Sequence, residues 1–206
     1  MKDIDLHGLE AASIWVQRWS HLVKPGGTVL DVACGHGRHS RWFYEQNHPV
    51  VAVDRAQAAI ESIANTIPAG ACETVVADIE SGPWPFTGRQ FDAVVATNYL
   101  WRPLIPTLLA SLAAGGVLIY ETFTQGNETV GKPSRPDFLL RPGELLDICK
   151  DLRVVAFEEG FQDESATPLG RPARFIQRIA AVRPPAERVA GASPQTQQIP
   201  PRYHLP

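Results

Sequence analysis

The sequence predicts an α/β domain in which a mainly parallel sheet is covered by helices on both faces. Three observations carry this. Short runs rich in β-branched and apolar residues alternate with helix-length segments between residues 28 and 123. The runs TVLDV, PVVAVD and FDAVVAT are almost continuously apolar, as strands buried on both faces are. A glycine turn, CGHG, stands where the first of these runs gives way to a helix.

The elements follow in order. A first helix is expected through residues 9–23, with Leu9, Ile14, Trp15, Trp19 and Leu22 recurring at helical spacing on one broad face. Pro25-Gly26-Gly27 ends it in a turn. Strands are expected over residues 28–32, 49–54, 74–78, 91–97 and 116–123, and helices over 38–46, 57–66 and 104–113. Residues 124–142 are polar and rich in glycine and proline, which predicts a long loop that closes over bound ligand. A short helix over 144–150 precedes two strands, 153–159 and 174–182, expected to pair antiparallel at the sheet edge. From residue 184 onward the composition predicts a disordered or loosely attached tail, so the domain is placed at 1–183.

With 206 residues, 44% of them hydrophobic and 20% charged, the chain has the size and balance of one folded domain. A net charge of -3 without a clustered basic excess argues against nucleic acid as a partner. No apolar run reaches membrane-spanning length, and MKDIDLHGLE lacks the features of a secretory signal. Cys34, Cys72 and Cys149 form no even set, which points to the reducing cytoplasm. The partner expected is therefore a small molecule.

The most informative stretch is DVACGHG, residues 31–37. Gly35 and Gly37 permit backbone angles and a closeness of approach that side chains forbid, so a flat ligand can lie against main chain. In open parallel sheets ligands bind beyond the carboxyl ends of the strands. The second strand ends at Asp54, placed to accept from ribose hydroxyls. The third ends at Asp78-Ile79, an acceptor for an adenine amino group beside an apolar cover. Acids at three strand ends, Asp31, Asp54 and Asp78, also suit a cationic ligand. The alternative is that the glycines only shape a turn and the aspartates only cap helices. A nicotinamide-linked dehydrogenase would call for G-x-G-x-x-G, but Ser40 stands at the third glycine's place.

These residues resemble the class I S-adenosylmethionine-dependent methyltransferases over residues 10–183. DVACGHG is similar to their glycine-rich motif, VVAVDRA to the ribose-binding segment, VVADIE to the adenine-side segment, and FDAVVATNYL to the fourth motif. YETFTQGNETVGKPSRPDFLLRPGEL resembles the tellurite-resistance-type branch. The resemblance implies a Rossmann-like, doubly wound seven-stranded sheet whose last strand is antiparallel. It also implies S-adenosylmethionine as cofactor and S-adenosylhomocysteine as product. Carried over position by position, it implies that Asp31, Ala33, Cys34, Gly35, Gly37, Asp54, Arg55, Asp78, Ile79 and Asn98 bind the cofactor. The acceptor-pocket candidates are Tyr99, Trp101, Arg102 and Thr122, with Arg135 and Arg141 in or beside the long loop suited to an anionic acceptor. The fourth motif continues Asn98-Tyr99-Leu100-Trp101 without the proline pair common in adenine-amine and glutamine-amide methyltransferases, which turns expectation toward a thiol, chalcogen oxyanion or hydroxyl. Cys34, His36 and His39 lie close together but lack a fourth ligand, so no metal is expected. A non-catalytic cofactor-binding module stays open as the second reading.

Overall fold

Strands β1 (Val29–Val32), β2 (Val50–Asp54), β3 (Cys72–Val76), β4 (Phe91–Thr97), β5 (Leu112–Phe123), β6 (Arg153–Gln162) and β7 (Arg174–Val182) make one seven-stranded sheet. The computed structural model describes residues 10–163, 172–185 and 202–206. The strand order is β3-β2-β1-β4-β5-β7-β6. The first five strands are parallel, and β7 runs antiparallel to both of its neighbours. The expected antiparallel pair is present, with β7 inside the sheet and β6 at the edge. The order reverses between β1 and β4, which opens a crevice at their carboxyl ends.

Helices α1 (Ile14–Trp19), α2 (Arg38–Glu45), α3 (Gln57–Ile63), α4 (Ile105–Ala110) and α5 (Glu144–Ile148) flank the sheet. Every residue of β1 is buried, as its apolar run requires. One core packs Leu30, Val51, Val94, Leu118 and Ile179 beneath Phe86, Leu104 and Leu108. The other packs Val29, Val95, Val117 and Ile119 against Trp15, Trp19 and Phe43. Burying each such side chain contributes about 1.5–3 kcal/mol.

Several boundaries differ from expectation. The first helix begins only at Ile14, because the Ser13 hydroxyl accepts the Trp15 N–H at 3.1 Å and caps it. Ile14 is 52% exposed and so leaves the shared apolar face, while Leu9 lies outside the described residues. Trp15 donates its indole N–H to the Ile179 carbonyl at 3.2 Å, deep in the core. The fourth helix stops at Ala110, because Leu112 already pairs with Phe91 before the register shifts. The third strand ends at Val76, leaving Asp78 in the turn beyond it. The tail expected from 184 lies mostly outside the described residues. Of its described part, Tyr203 packs against the α1 core and the His204 carbonyl lies 3.0 Å from His21 Nε2.

Residues 124–142 hold two short 3-10 turns, Asn127–Thr129 and Pro136–Phe138. Their neck is fastened. Leu140 donates to the Phe123 carbonyl at 3.0 Å, and Gln125 and the Thr124 hydroxyl both donate to the Leu140 carbonyl at 2.9 and 2.8 Å. Asn127 anchors the inner turn by accepting the Phe175 N–H at 3.1 Å and donating to the Pro133 carbonyl at 2.9 Å.

Candidate cofactor cleft

The chain leaves β1 and β4 through residues held at unusual backbone angles. Ala33 has φ 51° and Asn98 φ 55°, left-handed values that non-glycine residues seldom adopt and that cluster at functional sites. Gly35 and Gly37 follow at φ 53° and 78°. A Cβ on Gly35 would meet nothing within 4 Å, so the turn presents bare main chain to open space. Asp54 stands across from it. Its Oδ2 accepts the Gly35 N–H at 2.9 Å and its Oδ1 the Ala56 N–H at 2.8 Å. Each oxygen keeps a second lone pair for a ligand hydroxyl.

Two cavities open here and share Ala33 in their linings. The smaller, about 120 Å³, is lined by Asp54, Arg55, Asp78, Ile79, Glu80 and Tyr99. Asp78 accepts the Glu80 and Ser81 N–H groups at 2.9 and 3.1 Å, and these bonds hold its carboxyl below the usual range. The Tyr99 hydroxyl is buried without a hydrogen-bond partner. Burial, then the nearby Glu80 and Asp78 carboxylates, push its pKa up. The larger cavity, about 700 Å³, extends from Ala33, Cys34, Gly35 and Asn98 to Phe123, Lys132 and Arg174.

Most of the expected cofactor residues therefore meet around Ala33, and two stand apart. Asp31 is only 1% exposed and lies under the turn, where it accepts the Ser40 hydroxyl at 2.7 Å. It supports the bend from below and does not line either cavity. Gly37 faces inward as well, since its missing Cβ would stand 2.8 Å from Ile63 Cγ1. Cys34 borders the large cavity, but burial pushes its thiol pKa far up, which makes it an apolar neighbour and a poor nucleophile.

The acceptor-pocket candidates are redistributed more thoroughly. Tyr99 sits on the small-cavity side, with the adenine candidates. Arg102 is consumed by the fold. Its Nε and Nη2 grip both Glu144 oxygens at 2.7 and 2.9 Å, and Nη1 and Nη2 donate to the Asp137 and Leu139 carbonyls. Trp101 packs against the core and Thr122 is 1% exposed; neither lines a cavity described here. Alternation along β5 turns Phe123, not Thr122, to the cleft. Arg135 pairs with Asp137 at 3.0 Å and lies over Phe138, while Arg141 reaches Glu144 at 3.5 Å; both are outside the cleft lining.

The end of the fifth strand was expected to face the cleft, and Phe123 does. Sequence reasoning missed Glu10, Arg38, Thr97, Asn127, Lys132 and Arg174, all of which line the large cavity. Thr97 had a readable signal, being the last residue of a strand that feeds the crevice. Glu10, Lys132 and Arg174 arrive from distant segments and had none. Of the residues weighed as metal ligands, His36 Nδ1 lies 2.8 Å from Ser62 Oγ and His39 Nε2 accepts the Ser13 N–H at 3.2 Å. Among the described residues, no group of three or more His, Cys, Asp or Glu is arranged to hold a metal ion.

Residues 29–115, spanning β1 to β5 and the glycine turn, match the family model described as a methyltransferase domain. Known structures share this fold. TehB from Haemophilus influenzae is 20% identical with a TM-score of 0.63, the match covering 80% of this chain and 59% of that one. The chain thus spans about 59% of the length of that TehB. A SAM-dependent methyltransferase from Methanosarcina mazei is 16% identical, TM-score 0.63, covering 85% and 99%. A TehB-like SAM-dependent methyltransferase from Corynebacterium glutamicum is 18% identical, TM-score 0.58, covering 87% and 92%. No curated protein matches the chain by sequence. S-adenosylmethionine, the cofactor of such a domain, fits the residues present. The cleft offers open space over Gly35, a carboxylate beside it, and a buried hydroxyl on Tyr99 that has no hydrogen-bond partner among the described residues. Among the described residues no helix is long and apolar enough to cross a membrane.

Proposed function

We propose that this chain transfers the methyl group of S-adenosylmethionine to a small-molecule acceptor by in-line displacement, within a domain spanning residues 1–183. One observation carries the reading: two cavities that share Ala33 in their linings beside a bare main-chain bend, with the Asp54 carboxylate in the wall of the smaller and accepting the Gly35 N–H. The small cavity takes the adenine, with Ile79 and Tyr99 beside it and Asp78 and the Tyr99 hydroxyl as polar contacts. Asp54 takes the ribose hydroxyls. Ala33, Gly35 and Asn98 line the passage into the large cavity, where the acceptor docks. Bound there, the cofactor supplies an electrophilic methyl group on a cationic sulfur. The chain's part is to hold the acceptor in line with that carbon and to exclude water. Phe123 gives the acceptor site an apolar wall, and Lys132 and Arg174 give it positive charge. A thiol, a chalcogen oxyanion or a hydroxyl is the acceptor class favoured by the fourth motif. The reducing cytoplasm is the expected setting, with Cys34, Cys72 and Cys149 all free thiols.

Calorimetry with S-adenosylmethionine, S-adenosylhomocysteine and NAD tests the reading. The two sulfur nucleosides should bind and NAD should not; binding of NAD alone would overturn it. Methylation across a panel of thiols, oxyanions and phenols then separates an enzyme from a module that only holds the cofactor.

A further inference from the structure

Tyr120 lies on the buried part of β5, 3% exposed, in the core that holds Leu118, Leu140 and Ile179. A phenol in such a place needs a partner for its hydroxyl. The partner is the Tyr99 carbonyl, to which Tyr120 donates at 2.6 Å. Burial pushes the Tyr120 pKa up, so the phenol keeps its proton and stays a donor. One residue further along β5, the Glu121 carbonyl accepts the Asn98 N–H at 2.8 Å. The turn after β4 is therefore held at both ends of one dipeptide, at the N–H of Asn98 and at the carbonyl of Tyr99. Between these bonds Asn98 keeps its φ of 55°, a left-handed angle that persists where the surroundings over-determine it. The bend sends two neighbours to different places: Asn98 lines the large cavity and Tyr99 the small one. The two bonds are not alike. Any residue at position 121 supplies the main-chain acceptor, whereas the bond to Tyr99 needs the side chain of Tyr120. On the small-cavity side, the Tyr99 hydroxyl is buried with no hydrogen-bond partner among the described residues.

We propose that Tyr120 is a positioning residue for adenine recognition: by holding the Tyr99 carbonyl it sets the turn that aims the Tyr99 hydroxyl into the small cavity. The inference rests on the cofactor assignment above and extends it to a residue that lines neither cavity. Without the Tyr120 hydroxyl the Tyr99 carbonyl loses this donor, and the dipeptide turns to satisfy it elsewhere, which carries the Tyr99 ring away from the adenine.

Calorimetry on the full chain tests it with two probes that share the adenosine end, 5′-methylthioadenosine and S-adenosylhomocysteine. Tyr120→Phe should weaken both by about fivefold, and Tyr99→Phe by a similar factor. Because Tyr120 acts through Tyr99, the double variant should lose no more than Tyr99→Phe does alone. A core hydrogen bond without bearing on the site would lower the urea midpoint and leave both affinities intact. Carbon NMR of the tyrosine Cζ atoms reads the same link without relying on affinity. In the wild type the Tyr99 signal should shift when 5′-methylthioadenosine binds, and in Tyr120→Phe it should start from a different position. Losses that multiply to about 25-fold in the double variant overturn the positioning role. So does unchanged affinity in either single variant, or a Tyr99 signal that ignores the probe; each leaves the methyltransferase reading intact. Failure of the wild type to bind either probe sinks the cofactor assignment, and the role of Tyr120 with it.

Discussion

Gly35 and Gly37 stand two residues apart in one turn and are glycine for different reasons. Gly35 opens onto empty space, so Gly35→Ala should cost the fold only about 1 kcal/mol, for its positive φ, while the added methyl group should intrude on the proposed cofactor position. Gly37→Ala drives a methyl into Ile63 and should cost about 2 kcal/mol or more. Urea melts and S-adenosylhomocysteine titrations of the pair should therefore move in opposite order: binding falls further in the first, stability in the second. Asp54→Ala should weaken S-adenosylhomocysteine by about 1–3 kcal/mol, since a charge-assisted contact goes and the Gly35 N–H loses its acceptor. Retained affinity would misplace the ribose. Asp31 offers a test in pH. Burial lifts its carboxyl to about 6, against the effects of Ser40 and Arg38. Between its unfolded value and about 6 the folded chain keeps a proton that the unfolded chain has released, so stability falls as pH rises through that window. Above it the full cost, about 3 kcal/mol, is present. Asp31→Asn, whose amide oxygen still accepts from Ser40, should raise the melting temperature at pH 7 more than at pH 4. Gly35 and Asp54 were legible because the motif spacing places them directly. Asp31 was misread because strand-end position alone does not tell on which side of the sheet a side chain leaves.

The elements were legible in kind and blurred at their ends. Apolar runs buried on both faces announce β1, β2 and β4 without help from neighbours. The start of α1 depends on the Ser13 hydroxyl, and the end of α4 on Leu112 pairing with Phe91; both are settled by contacts that periodicity does not record. Residues 124–142 are the extreme case. Their neck is closed by Thr124, Gln125 and Leu140, and Arg102 ties Asp137 and Leu139 to Glu144 from 35 or more residues away. With Asn127 held to Phe175 as well, this fastening leaves any closing movement over ligand to residues 128–136. Burial raises the Glu144 carboxyl, but Arg102 and then the Arg141 N–H outweigh it and hold it below the usual range. Its contribution is therefore intact above the unfolded carboxyl's value and lost as pH falls through the lowered one. Arg102→Met leaves Glu144 without its main counter-charge and should cost about 3 kcal/mol, read as an earlier urea midpoint. Chymotrypsin should also cut at Phe138, Leu139 or Leu140 faster in this variant than in wild type. Unchanged cleavage would mean the strap does not hold the segment.

For the whole molecule, alternation of strands and helices foretold the sheet, and the reversal between β1 and β4 locates the crevice. The large cavity was less legible, because its wall is assembled from Glu10 ahead of α1, the glycine turn and start of α2, the ends of β4 and β5, the 124–142 segment and the start of β7. No local pattern marks residues that meet only after the chain has closed on itself. A ligand that bridges so many segments should stabilise them together: S-adenosylhomocysteine at about 100 times its dissociation constant should add about 2.7 kcal/mol to unfolding, read as a higher melting temperature. The place of β7 has its own consequence. It hydrogen-bonds to β5 on one side and β6 on the other, although both precede it in the chain. During synthesis, then, a slot flanked by two naked ribbons waits until residues 174–182 leave the ribosome and fill it. A chain cut short before that point keeps its longest inner ribbon bare, and such a fragment would collect into aggregates instead of persisting as a smaller working protein.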